Sequence, residues 1–361
     1  MIHQKIVFDI GLITHDFRCM KKTILFMAFL MMSLLSSCQN MNEKKFEWLP
    51  TESSPALYPM RIYKGYLIFK DSTSIYIPCS STSHTGWGNS GSMHVVGEDF
   101  KPVPVKLEVT WASFLEKKFY TGSWDLPYDK MLKLFEEGYI NYDTKKRETY
   151  NEIIVGLAPG GAVSVWMNGT MSRIEIAHFR AQPTTVSMKD MIPGNPEITE
   201  EEFFNRFNPN DAYDKKIIDN FNKNGIPFGI WSTAYREKYH WKIDIALENK
   251  ASQLLCKLAD LLNGEMEILV DDLLKNDKEK PRGLPRAFYL EWLTPDKKAK
   301  AVDIEVNEPQ LFEVIKKIDK NVAFQFLFKH TAQKTGLYIL QRDQEYLVQT
   351  IAPAEVYDKR S

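Results

Sequence analysis

Residues 150–169, YNEIIVGLAPGGAVSVWMNG, hold the most informative pattern in the chain. Two apolar runs flank Pro159, Gly160 and Gly161, and proline followed by paired glycines marks a turn between strands. The spacing predicts a tight hairpin. Upstream, Pro127 sits where a first helical turn accepts proline and Gly138 where a helix ends, with Met131, Leu134 and Phe135 on one side between them. Strand-like runs precede that helix at residues 58–69, 73–79, 105–111 and 117–124.

The same order recurs later. FYLEW ends at Trp292, a turn follows at residues 294–297, then the strand AVDIEV and a helix opened by Pro309. Trp292 to Pro309 spans 17 residues, and Trp111 to Pro127 spans 16. Two more strands, VAFQFLF and LYIL, are joined through Gly336. Leu254, Leu255, Leu258, Leu261 and Leu262 recur at helical spacing before Asn263 and Gly264, which predicts a further helix over residues 251–262. The expected class is α+β, with two similar halves, each an antiparallel sheet with a packed helix, and an internal duplication behind them. The halves are placed at residues 46–190 and 226–361. Between them, residues 191–225 read as a linker with short helices, where Thr199 and Glu202 form a capping-box pattern.

The N-terminus carries a different signal. From Met20, Lys21 and Lys22 precede the apolar run ILFMAFLMMSLL, about a dozen residues where a membrane span needs roughly 20. Residues 20–37 therefore read as a signal peptide. Leu35, Ser36, Ser37 and Cys38 resemble the lipobox of bacterial lipoproteins, which implies a diacylglycerol on Cys38 and cleavage before it. Residues 38–45 form a short polar tether. Residues 1–19 place Asp9, His15 and Asp16 ahead of the signal, so translation is expected to begin at Met20. The expected location is the cell envelope, anchored through the lipid on Cys38 to the outer membrane, on its periplasmic face or at the surface.

Without residues 1–37 the chain keeps 42 basic and 45 acidic residues, and no clustered basic surface of the kind nucleic acid requires. Aromatic residues make up 12% of the chain, with eight tryptophans, which suits either ligand stacking or buried sheets. Cys79 and Cys256 are read as two buried thiols, with a bridge between the halves as the alternative. His84, His94, His178, His240 and His330 lack zinc spacing, GLAPGG lacks the lysine of a phosphate loop, and GNSGS misses the nucleophile elbow by one residue. No metal or cofactor is expected, and no catalytic set emerges. The Gly- and Ser-rich loop at residues 80–94 carries an aromatic ring between histidines, which makes His84, Trp87 and Asn89 the ligand-binding candidates.

Residues 46–180 resemble the Bacteroidetes-type lipoprotein family called domain of unknown function 2931. The resemblance rests on Gly86 and Trp87 in GWG, on Trp111, Ser113, Glu116, Phe119 and Tyr120 in WASFLEKKFY, on Leu126 and Pro127, and above all on residues 150–169. It implies export and lipidation and assigns no catalytic residue. The expected function is binding or interaction at the cell envelope. The alternatives are an immunity-type lipoprotein that neutralises a secreted toxin, and a cell-envelope hydrolase. Cys38→Ala is expected to abolish metabolic labelling with a fatty acid and to block maturation; continued membrane anchorage of that variant would refute the lipid anchor.

Overall fold

The computed structural model describes residues 43–359 except 79–81, 83, 93 and 143. The signal peptide, Cys38, most of the tether and Cys79 lie outside the described residues. The body from Phe46 onward is built on the hairpin at residues 159–161. There Gly160 and Gly161 take φ of +75° and +74°, which favour glycine. A Cβ on Gly161 would stand 2.8 Å from the Ala181 carbonyl oxygen and 3.0 Å from the Tyr120 ring. Glu116 holds the turn in place, accepting hydrogen bonds from Gly160 N (3.1 Å), Ser113 Oγ (2.6 Å) and the Tyr120 hydroxyl (2.7 Å).

In chain order the first half comprises β1 (Leu49–Ser53), β2 (Met60–Ile68), β3 (Ser74–Tyr76), β4 (Lys106–Ser113), β5 (Lys118–Asp125), α1 (Tyr128–Glu137), β6 (Glu152–Ala158), β7 (Ala162–Gly169), β8 (Ser172–Arg180) and β9 (Gln182–Thr184). The connecting region contributes α2 (Glu200–Phe204) and α3 (Ala212–Asn224). The second half comprises β10 (Tyr239–Leu247), β11 (Gln253–Leu261), β12 (Met266–Val270), β13 (Lys280–Arg282), β14 (Pro285–Leu293), β15 (Ala299–Glu305), α4 (Glu308–Ile315), β16 (Phe324–His330), β17 (Thr335–Gln341), β18 (Gln344–Thr350) and β19 (Val356–Asp358). This is α+β, with strands dominating.

Each half contributes two groups of strands. In the first they run β3-β2-β4-β5-β9 and β1-β6-β7-β8; in the second, β12-β11-β14-β15-β19 and β10-β16-β17-β18, with β13 added beside β10. The expectation of one antiparallel sheet per half is therefore corrected. Each half has two layers, and β1 with β6 and β10 with β16 pair in parallel. The strand LPTES hid this, since its proline and polar residues carry no strand signal. Its role comes from tertiary pairing.

The predicted helix over residues 251–262 is also overturned. Those residues form β11, paired on one side with β12 and on the other with β14. A strand flanked on both sides is read poorly by periodicity, because it presents apolar residues to both faces. Asn263 and Gly264 form its hairpin turn, with Gly264 at φ +83°; Asn-Gly is a hairpin signal before it is a helix cap. Cys256 accordingly lies buried on a strand.

The helices opened by Pro127 and Pro309 form as expected. α1 buries Met131 and Phe135 and ends at Gly138, while α4 buries Leu311, Val314 and Ile315. Alternate residues of the layers meet them: Ile153, Val155 and Leu157 with Val163, Val165 and Met167 in the first core, Phe324, Phe326 and Phe328 with Phe288, Leu290 and Trp292 in the second. The capping box of Thr199 and Glu202 is present, and it sets Phe203 and Phe204 against Phe114 and Phe119. The connecting region thus docks on the first half.

The halves share one nine-stranded sheet through β8 and β12, which pair only at Ser172 with Glu267 and Arg173 with Met266. Side chains secure so short a junction. Arg173 Nη2 lies 2.8 Å from Asp260 on β11, and Arg286 Nη2 on β14 lies 2.6 Å from the other carboxylate oxygen. Arg173 also donates to the Gly264 carbonyl, and the Trp166 indole donates to the Asn263 carbonyl at 3.2 Å. Asp260→Ala would leave two guanidiniums facing each other with little water, an expected loss of about 3 kcal/mol in urea denaturation. A loss under about 1 kcal/mol, the scale of an exposed pair, would show that apolar packing alone holds the junction.

Candidate functional site

The loop at residues 84–92 lies along edge strand β1 and is tied to it by side chains. Ser53 Oγ donates to the Gly86 carbonyl (2.8 Å) and accepts from Gly88 N (3.1 Å); Thr51 Oγ1 donates to the Ser92 carbonyl (3.1 Å) and accepts from Gly91 N (3.0 Å). Glu52 accepts from Ser92 Oγ at 2.7 Å. Short polar side chains on β1 do the work that a neighbouring strand would otherwise do. The loop covers a sheet edge, a place where an unpaired strand invites aggregation.

This placement separates the three ligand candidates. Trp87 is only 3% exposed and packs edge-on against Trp166, with ring centroids 4.9 Å apart. His84 is exposed and lies against Tyr213, centroids 4.4 Å apart. Asn89 donates to the Thr85 carbonyl at 3.1 Å, and its side-chain oxygen faces Arg173 and Arg286 at 3.5 and 3.4 Å. They do not converge on a common point.

Trp87 instead forms one wall of a cavity of about 510 Å³ where the first half, the connecting region and the second half meet. Its lining includes Tyr58, Trp87, Trp231, Tyr235 and Phe312, with Arg286 and Glu308 as the charged members. They come from several separate pieces of chain. Tyr58 follows β1, Trp231 and Tyr235 sit in the irregular segment after α3, and Phe312 and Glu308 belong to α4. Tyr58 meets Trp231 edge-on at 5.0 Å and donates its hydroxyl to the Gly225 carbonyl at 3.1 Å. The Tyr235 hydroxyl donates to Glu308 Oε1 at 2.7 Å, and burial together with that carboxylate lifts the phenol far above its ordinary pKa.

Arg286 links this cavity to the junction. It donates to Asp260 through Nε (3.1 Å) and Nη2 (2.6 Å), and to the Trp87 carbonyl through Nη1 (3.0 Å). The same guanidinium therefore fixes the Trp87 backbone and the β11 carboxylate. None of Tyr58, Trp231, Tyr235, Arg286, Glu308 and Phe312 stands out in sequence as a site residue. The available signal was the aromatic, Gly- and Pro-punctuated string GIPFGIW at residues 225–231, too rich in rings for a plain linker.

One other cluster has catalytic residue types. Ser164 Oγ donates to Glu175 at 2.8 Å and lies 3.2 Å from His178 Nδ1, while Arg236 pairs with Glu175. In a hydrolytic triad the imidazole stands between acid and hydroxyl. Here the serine stands between the other two and is buried, so a substrate has no approach to it. Among the described residues no group of three or more His, Cys, Asp or Glu is arranged to hold a metal ion, and no helix is long and apolar enough to cross a membrane.

The model of the family described as protein of unknown function (DUF2931) matches residues 36–229, which takes in the first half and the connecting region. No curated protein and no solved structure matches the chain.

The Ser164 cluster has a consequence for pH. Burial, and then the Arg236 guanidinium, pushes the His178 imidazole down to about 4 from its ordinary 6.5. The unfolded chain takes up this proton near pH 6.5 and the folded chain only near 4, so stability contributed by the neutral ring is complete above pH 6.5 and declines as pH falls toward 4. His178→Gln is expected to flatten the melting temperature against pH across that window; an unaltered slope would assign the titration to other groups.

Proposed function

The chain belongs to the protein of unknown function (DUF2931) family, which brings no activity to transfer, and from its own geometry we propose that it is a binding protein of the cell envelope. In this reading the signal at residues 20–37 exports the chain, the lipid on Cys38 anchors it to the outer membrane, and the cavity between the halves is its ligand site. The observation that carries the reading is the aromatic lining of that cavity, drawn from separate regions of the chain around two charged residues, Arg286 and Glu308. Sites of this size with a few placed polar groups are what small-ligand recognition uses. The matched strand orders of the halves support an internal duplication as their origin.

A binding role needs the seam to stay open and rigid. The cluster of buried Arg173 with half-buried Asp260 and Arg286 supplies rigidity, and the absence of a nucleophile with its base at the cavity, among the described residues, leaves recognition as the chemistry on offer. The test is capture from envelope extract with the full lipidated chain, followed by identification of what is bound. Ala56 is an exposed residue at the cavity lining, so Ala56→Trp should occlude the site without disturbing a core. A ligand retained by the wild type and lost from Ala56→Trp supports the reading; equal retention by both would place binding on another face.

A further inference from the structure

Resting on the reading of the seam cavity as a binding site, we propose that it takes an alkylammonium ligand, with the cation beside Glu308 and the apolar stem against the surrounding rings. The two charged members of the lining are not equivalent. Arg286 is committed to the fold, with its donors spent on both Asp260 and the Trp87 carbonyl. Glu308 is not. Its Oε1 accepts from Tyr235, and among the described residues no lysine, arginine or histidine forms an ion pair with it. A carboxylate without a cation, bordered by the half-buried rings of Tyr235 and Phe312, matches the way aromatic cages hold ammonium groups: ring faces supply cation–π attraction and the acid supplies charge.

The helix does not need this acid as a cap. Asn307 already caps α4, accepting from Gln310 N at 3.0 Å. Nor does the shared layout of the halves need it. Glu308 immediately precedes the helix-opening Pro309, and at the matching place before Pro127 the first half has Leu126, buried in its core. The carboxylate is therefore a departure confined to the second half.

A sugar is a poorer fit. The hydroxyls of Tyr58 and Tyr235 both donate inward, to the Gly225 carbonyl and to Glu308, so few groups remain to satisfy a polyol. Buried hydroxyls left without partners weaken binding, whereas an alkylammonium presents one polar end and an apolar remainder. The rings point the same way: Trp87 and Trp231 are 3% and 4% exposed and offer no broad open platform.

The probes are choline, cadaverine and 3,3-dimethylbutanol, the last an uncharged analogue of choline, titrated into the full chain by calorimetry and by tryptophan fluorescence. Choline represents headgroup-type quaternary ammonium and cadaverine a primary amine such as a lysine side chain. Binding of either at least about tenfold tighter than the uncharged analogue supports the proposal. Glu308→Gln keeps an acceptor for Tyr235 but removes the charge, and should weaken the ammonium about tenfold while leaving the uncharged analogue unchanged. Tyr235→Phe, which releases Glu308 from its hydrogen bond, provides a second variant should Glu308→Gln fold poorly; it should bind the ammonium no more weakly than the wild type does. Equal affinity for charged and uncharged probes, no binding of either ammonium, or insensitivity to Glu308→Gln would overturn the ligand class. If Ala56→Trp still abolishes capture from extract in that event, the cavity remains the binding site and only the ammonium assignment falls.

Discussion

Asp260 is the constraint on which the arrangement of the two halves depends. Its two carboxylate oxygens receive guanidiniums from opposite sides of the junction, Arg173 from the first half and Arg286 from the second. Taking three charges largely out of water is costly, and only close, multiply hydrogen-bonded geometry offsets it. The geometry supplies this: Arg173 adds the Gly264 carbonyl and Arg286 adds the Trp87 carbonyl. Removing the central acid leaves like charges together. The halves can therefore meet in one register, which the two residue pairs between β8 and β12 alone would specify less tightly.

From that register the cavity follows. Gly88 and Gly264 approach so closely that a Cβ on Gly88 would stand 2.7 Å from the Gly264 Cα, and both take positive φ, +84° and +83°. The loop after β3 and the hairpin of β11 thus touch backbone to backbone. With those two turns in contact, the chain between Asn224 and Tyr235 has to pass beside them rather than between, and its rings line the space that results. Polar positioning at the junction and aromatic lining at the cavity are consequences of the same contact.

How much of this was legible in the sequence depends on whether the signal was local. The hairpin at residues 159–161, the helices opened by Pro127 and Pro309 and the capping box at Thr199 are set by proline, glycine and hydroxyl chemistry acting within a few residues, and these were readable. β11 was not, because its leucines satisfy helical spacing and two-sided sheet burial equally well, and pairing with β12 and β14 decides between them. The cavity was illegible for a related reason. Tyr58, Trp231, Glu308 and Phe312 are far apart in sequence and acquire a shared role only once Asp260 has fixed the halves. Trp87 was visible as an unusual residue, but its burial is decided by Trp166, Gly264 and the side chains of β1.

The matched strand orders raise the question of what keeps further strands from joining these sheets. β8, the last strand of one layer, joins β12, the first strand of the other half's layer, and the same operation could in principle be applied at β18 and at β3. Among the described residues these strands stand at sheet edges. β3 is only three residues long, too short to template a partner, and β18 carries Gln344, Glu345 and Gln349 along QEYLVQT, with Glu345 engaged by Lys329 of β16. Short and charged edges resist further pairing. At another sheet edge, β1 is covered by the loop that carries Trp87, so the device that closes that edge also furnishes a wall of the cavity. Loosening the loop would therefore expose a strand edge as well as open the site, which ties the cost of altering the cavity to the solubility of the whole body.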